Sequence, residues 1–227
     1  MKEYQKNLME KTKTIYAIYG AGGCGRGLIQ FVYQNFFTKF TRIIFVDDKL
    51  KNKEINGYKV ISYNLFKKLD NKKKFLLIGV SNVKIRKQLS QKIKRDGINT
   101  FSLFSNQSIV FEKNNIGEGS SISPFVTITS NVKIGKFFHI NLYSYVEHDC
   151  DIGNFVTFAP GVKCNGNVTI EDNVYIGSGA IIKNGLPEKK IIIGKNSIIG
   201  AGAVITKNIP KNSIIIGNPA RKLLKKL

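Results

Sequence analysis

The chain has 227 residues, 42% of them hydrophobic, and carries a formal net charge of +21. That length suits one or two domains with sizeable cores, and no apolar run approaches the ~20 residues of a membrane-spanning helix. The polar, lysine-rich segment 1–13 lacks the apolar stretch of a secretory leader, so a cytoplasmic protein without membrane insertion is expected. The lysines are spread along the chain with no nucleic-acid motif beside them, which argues for small anionic ligands and against a nucleic-acid partner. Cys24, Cys150 and Cys164 are the three cysteines. They are not spaced as a metal site, and they read as reduced thiols with no metal implied.

Residues 14–105 alternate strands and helices. The apolar segment Thr14–Gly20 reads as a strand, Cys24–Phe37 as a helix, and Arg42–Asp48 as a strand ending in two acids. Lys59–Ser62 and Lys74–Val80 follow as strands, then a helix over Val83–Arg95 and a short strand over Thr100–Phe104. This alternation predicts an α/β domain, Rossmann-like, with a parallel sheet and helices on its faces. Gly20-x-Gly22-x-x-Gly25 lies between the first strand and the first helix. Backbone N–H groups at a helix start attract phosphate, and Asp47, at the end of the next strand, could accept a ribose or sugar hydroxyl. A nucleotide sugar carries both groups and is the favoured ligand. A dinucleotide, or a glycine turn with a purely structural role, remains open.

From Ile116 the pattern changes to a strict period of six. Ile116, Ile122, Ile128, Ile134, Ile140, Val146, Ile152, Phe158, Cys164, Ile170, Ile176 and Ile182 are all apolar. The register breaks at Lys183–Lys190 and resumes at Ile193, Ile199 and Ile205. An α-helix has a period of 3.6 and cannot present such a set on one face. A triangular coil can, with one inward residue per side and about five turns over the fifteen hexads. Turns would stack at about 4.8 Å, and the break reads as a loop pushed out of one corner. His148, two residues after the inward Val146, should lie near a corner or an outer face, between Glu147 and Asp149. An imidazole titrates near neutrality and can take a proton from a nucleophile, and either flanking acid could orient it. The other histidine, His139, precedes the inward-facing Ile140 and reads as structural.

The hexads resemble the left-handed parallel β-helix of hexapeptide-repeat acyltransferases, and Gly217-Asn218-Pro219-Ala220 resembles the usual ending of that group. Gly20-Ala21-Gly22-Gly23-Cys24-Gly25, Asp47-Asp48, Ile78-Gly79 and Lys84-Ile85-Arg86-Lys87 resemble the sugar-nucleotide-binding domain of the PglD/NeuD-type family of sugar N- and O-acetyltransferases. The resemblance runs from about residue 14 to residue 221 and implies a division of the chain. Residues 14–105 would bind the nucleotide sugar and 106–220 would form the acetyltransferase β-helix, after the extension 1–13 and before a basic tail, 221–227.

It also implies site residues. His148 would be the general base, with Asp149, the acid directly after it, as its partner. Gly166 would offer a backbone N–H to the thioester carbonyl of the co-substrate acetyl-coenzyme A, with Thr157, Ser178 and Ala201 at other coenzyme A positions. Gly22, Gly23, Cys24, Asp47, Asp48 and Gly79 would bind the nucleotide sugar. Cys24 stands where the family commonly has histidine, and Thr157 replaces a frequent histidine. The donor groove needs two subunits, so a homotrimer is implied. The reading is an N-acetyltransferase acting on a nucleotide-linked amino sugar for surface glycan synthesis. The alternatives are an O-acetyltransferase of sialic acid or a related sugar, and a sugar-binding β-helix scaffold without catalysis.

Overall fold

A computed structural model describes residues 14–69 and 73–223. The extension 1–13 and residues 224–227 of the expected basic tail lie outside them. The chain divides into two compact units between Leu103 and Phe104. Among the described residues no helix is long and apolar enough to cross a membrane.

The first unit runs β1 (Thr14–Tyr19), α1 (Gly23–Phe36), β2 (Thr41–Val46), β3 (Glu54–Ile55), β4 (Tyr58–Ile61), α2 (Tyr63–Lys68), β5 (Lys73–Ile78), α3 (Val83–Arg95) and β6 (Asn99–Thr100). The sheet order is β3-β4-β2-β1-β5-β6. β1 lies at the centre, parallel to β2 on one side and β5 on the other, and its Ala17 and Ile18 are fully buried. On α1, Gly25, Leu28, Ile29 and Val32 are buried, the three-and-four spacing of one helical face. The chain passes from β4 back across β1 to β5, so the carboxyl ends of β1 and β5 flank a topological switch point, the usual place for a ligand in such sheets.

Three features depart from the sequence reading. β3 and β4 form an antiparallel hairpin closed by Asn56-Gly57, both at positive φ. That dipeptide is a strong hairpin signal in its own right. The short helix α2 follows β4 at once, its first turn capped by the Ser62 hydroxyl on the Leu65 N–H at 3.2 Å. The strand expected over Thr100–Phe104 is two strands, β6 and Leu103–Phe104, which belong to different sheets.

The second unit is a parallel β-helix, left-handed as the hexads imply. Its three sheets hold two- and three-residue strands, and successive turns pair in parallel eighteen residues apart over most of the coil, as in Ser121↔His139↔Thr157↔Tyr175. The second sheet stacks 6 strands, one per turn. The coil therefore makes about six turns rather than five, because it starts two hexads before Ile116, at Leu103–Phe104 and Ile109–Val110, and runs on past Ile205 to Ile214–Ile216. No glycine follows Phe104 or Val110 to mark the repeat there. The inward column Ile122, Ile128, Ile134, Ile140, Val146, Ile152, Phe158, Cys164, Ile170, Ile176 and Ile182 forms the core, joined by Val126, Val132, Val156, Val162, Val168 and Val174.

The corners explain the period of six. Each contains a residue in the left-handed region, including Asn131, Phe137, Tyr143, Asp149, Phe155, Asn167 and Asn173, six apart or a multiple of six. Asn and Asp tolerate that conformation better than other side chains. The aromatic ones stack turn upon turn, Phe125 on Tyr143 with centroids 5.0 Å apart and Phe137 on Phe155 at 5.1 Å, which offsets part of the backbone cost. Inside the coil, Phe158 is fully buried and meets Phe138 edge-on at 5.3 Å. Phe158→Ala is expected to destabilise the coil by about 3–5 kcal/mol, the cost of a large core cavity. Denaturant unfolding checks this, and a loss below about 1 kcal/mol would show that the site repacks.

Candidate active site

His148 and Asp149 lie at the corner between the strands Tyr145–Val146 and Asp151–Ile152. Asp149 is at φ +58°. Its Oδ2 is 2.8 Å from His148 Nδ1, so Asp149, and not Glu147, is the acid on the imidazole. A carboxylate only accepts, which places the hydrogen on Nδ1 and leaves the lone pair on Nε2. The two side chains are 54% and 45% exposed, so the pair is open to a ligand while its backbone is tied down. The Asp149 N–H donates to Ser130 O at 3.1 Å, and His148 O accepts from Asn167 N at 3.0 Å. Asn131 Nδ2 donates to Asp149 Oδ1 at 3.3 Å. The hydrogen bonds from His148 and then Asn131 hold the Asp149 carboxyl below the usual carboxylate range, with Lys190 contributing.

Gly166 is stacked one turn above. A Cβ there would lie 2.6 Å from both Cε1 and Nε2 of His148, so only glycine leaves the imidazole its place. The Gly166 carbonyl accepts from Gly185 N at 2.9 Å, and among the described residues its N–H donates to no protein acceptor. The corner thus presents a basic nitrogen and a free N–H donor side by side.

Ser178 and Ala201 share a different corner. Gly202 N donates to Ser178 O at 2.8 Å, a Cβ on Gly177 would meet Ala201 N at 2.6 Å, and both residues are exposed. Thr157 lies on the strand leading into that corner and is 2% exposed in the protomer. The second sheet, with Tyr145–Val146, Lys163–Cys164 and Ile181–Ile182 among its strands, separates this group from His148. The structure therefore joins His148, Asp149 and Gly166, and sets Thr157, Ser178 and Ala201 apart from them within one chain. His139 is buried in the strand His139–Ile140.

In the first unit the glycines have two kinds of role. A Cβ on Gly25 would collide with the Gly20 carbonyl, and one on Gly79 would lie 2.8 Å from Gly25 Cα and 2.5 Å from Ile18 Cγ2. These two let α1 and the end of β5 close on the turn. Gly22 and Gly23 face open space, and Gly22 caps α1 with no side-chain hydrogen bond, so the first N–H groups of the helix remain for an anion.

Both acids are already held by protein donors. Asp47 accepts from Ala21 N at 3.0 Å, Lys49 N at 2.9 Å and Leu50 N at 3.1 Å, tying the glycine turn to the end of β2. Asp48 accepts from Tyr63 N at 2.9 Å and Tyr19 OH at 3.3 Å. A carboxylate offers about four acceptor sites, so each retains some capacity for a hydroxyl. Burial pushes the Cys24 thiol up, opposed by the Arg86 guanidinium. Arg86 is fully buried and bonds Val80 O and Ser81 O at 3.0 and 3.1 Å, fixing the loop after Gly79. Burial lowers its pKa to about 10.

Sequence reasoning missed Asn131 and Lys190. Asn131 stands one eighteen-residue turn before Asp149, so the repeat itself could have found it. Lys190 comes from the extruded loop, which has no period.

Comparison with known proteins places these features in context. Residues 16–93 match the family model described as the PglD N-terminal domain. GDP-perosamine N-acetyltransferase of Escherichia coli O157:H7 is 49% identical over 212 residues, covering 92% of this chain and 96% of that protein. Among solved structures, WeeI from Acinetobacter baumannii AYE superposes with a TM-score of 0.90 at 46% identity, over 92% of this chain and 100% of that one. The acetyltransferase domain of PglB from Neisseria gonorrhoeae FA1090, in complex with acetyl coenzyme A, gives a TM-score of 0.84 at 27% identity, over 93% and 100% of the two chains. The chain belongs to the PglD/NeuD-type family of sugar acetyltransferases, enzymes of the hexapeptide-repeat class that use acetyl-coenzyme A.

Proposed function

We propose that this enzyme transfers the acetyl group of acetyl-coenzyme A to the amine of a GDP-linked amino sugar, a GDP-perosamine-type acceptor, in the cytoplasm. The contact between His148 Nδ1 and Asp149 at 2.8 Å, with Nε2 turned against Gly166, carries this reading. N-acetylation is favoured over O-acetylation of a sialic acid by the name of the 49% identical relative. The exposed, oriented imidazole favours catalysis over a sugar-binding scaffold. Residues 14–105 hold the nucleotide sugar through the α1 N–H groups beside Gly22, Gly23 and Cys24, with Asp47, Asp48 and the Gly79 turn around them. Residues 106–220 carry out the transfer.

The amine attacks the thioester carbonyl; a C–N bond forms and the C–S bond breaks. His148 Nε2 takes the amine proton and returns it to the departing thiolate. Asp149 keeps the ring in the productive tautomer and stabilises its charged form. The Gly166 N–H is placed to donate to the carbonyl oxygen as negative charge develops there. Thr157, Ser178 and Ala201 bind the rest of the donor from a second copy of the chain, in a homotrimer. Their separation from His148 within one protomer supports that arrangement.

The test mixes enzyme and acetyl-coenzyme A with GDP-, UDP- and dTDP-amino sugars, or with a sialic acid, and follows free thiol. The GDP-amino sugar should be acetylated fastest, whereas preference for a sialic acid acceptor would overturn the reading. His148→Ala should lower turnover by roughly 10²–10⁴-fold in a folded protein; near-native turnover would remove His148 from the mechanism. Gly166→Ala should cost about 10²-fold through displacement of the ring and leave the circular dichroism spectrum unchanged. Light scattering should give three times the 25.4 kDa chain mass, and the mass of a single chain would rule out the shared donor groove.

A further inference from the structure

The loop that interrupts the repeat returns to the catalytic corner. Lys190, 41 residues beyond Asp149, donates from Nζ to the Asp149 carbonyl oxygen at 2.7 Å and to Asp151 Oδ2 at 2.7 Å. Its side chain is only 29% exposed, in a chain whose other lysines mostly lie in solvent. The loop is fixed at its own ends. Leu186 and Lys189 exchange backbone hydrogen bonds at 3.1 and 3.0 Å, Gly185 N donates to Gly166 O, and Ile191 N donates to Asn167 O at 3.2 Å. The excursion is thus clamped to the turn that carries Gly166, and its lysine to the turn that carries His148 and Asp149. Ordering a lysine side chain costs up to about 2 kcal/mol of rotamer entropy, which a purely solvated lysine does not incur.

We propose that Lys190 is a positioning residue for acetyl transfer: its ammonium holds the Asp149 carbonyl, and so the left-handed corner, in the one orientation that keeps the Asp149 carboxylate on His148 Nδ1. The inference rests on the reading of His148 as the base. The loop serves the reaction, as a strut from the turns above the corner. Every backbone and side-chain polar group of Asp149 is then occupied: N–H by Ser130, carbonyl by Lys190, Oδ1 by Asn131 and Oδ2 by His148. The charged residues nearest the pair in the chain are Glu147 and Asp151, and Lys190 reaches it from the loop; Asn131 and Asn167, below and above, are neutral. Lys190 is the one cation among them. A positive charge there opposes protonation of the Asp149 carboxylate, so removing it should make that carboxylate easier to protonate.

Lys190→Met, Lys190→Gln and Lys190→Arg test this, with kcat and kcat/KM measured across pH and melting temperature measured alongside. In K190M, kcat should fall about 10–100-fold with KM for acetyl-coenzyme A nearly unchanged. The acid limb of the kcat/KM profile should move to higher pH. K190R should recover most of the turnover and the original limb. K190Q keeps a donor for the Asp149 carbonyl without the charge, so it should show the shifted limb with a smaller loss of kcat. If K190M does not fold, the K190Q and K190R profiles decide. Folded variants with the wild-type kcat and pH profile would overturn the proposal, as would a loss that follows melting temperature alone and that arginine does not restore. Failure of the base itself is distinguished by His148→Ala, which would then retain turnover whatever the lysine variants do.

Discussion

The structure depends on the stacking of one turn on the next at an eighteen-residue spacing. Each strand of the coil is only two or three residues long, too short to be stable alone, and pairs with the turns above and below. That constraint fixes the apolar inward column and forces a left-handed residue into each corner. It also aligns corner residues into columns. At the His148 corner, the candidate active site, the column is built by Asp149 N on Ser130 O, Asn167 N on His148 O and Gly185 N on Gly166 O. Each level supplies one part of the site: an amide below, the imidazole and carboxylate in the middle, and a glycine with a free N–H above. A ladder of backbone bonds between consecutive turns holds these parts at fixed separations, so the site is preorganised by the fold rather than by loops.

The corner conformation also explains how adjacent residues can form a pair. In an extended strand neighbouring side chains point to opposite faces, so a histidine and the acid after it could not meet. With Asp149 at φ +58° the chain turns between them, and Oδ2 comes within 2.8 Å of Nδ1. Glu147 is equally adjacent in sequence but precedes the turn, and it has no such contact. The choice between the two acids, open in the sequence, is thus settled by backbone geometry. The same argument accounts for an aspartate at this position, since its short polar side chain tolerates the left-handed region.

The coil was legible because its signal repeats. Twelve consecutive apolar positions cannot be mistaken for a helix, and the place of His148, near a corner or an outer face, followed from its offset to Val146. The two earliest hexads, at Phe104 and Val110, keep the register, but no glycine follows either residue to mark the repeat. In the first unit the strands and the helices α1 and α3 could be read from apolar runs, whereas β3 and α2 are short and depend on Asn56-Gly57 and Ser62. The glycine fingerprint was found as a motif, but its division of labour was not. Only steric context separates Gly25 and Gly79, which let backbones close on one another, from Gly22 and Gly23, which leave space over the helix start. The roles of Asp47 and Asp48 were likewise invisible, because their partners lie far along the chain at Ala21, Tyr19 and Tyr63.

The separation of the donor residues follows from the same geometry. One side of the triangle is a hexad, about 20 Å of extended chain at 3.3 Å per residue. His148 and Gly166 stand at one end of the second sheet, and Ser178 and Ala201 at the other. A donor lying along the coil axis passes from turn to turn at one corner and cannot reach the next corner without crossing that sheet. Thr157, on the strand entering the second corner, belongs with Ser178 and Ala201 and not with the histidine. A single coil therefore offers an acyl donor either the base or these outer contacts. Two coils set side by side offer both, one presenting the His148 corner and the other the Ser178–Ala201 corner. In the proposed homotrimer, rotational symmetry would repeat that pairing at every interface.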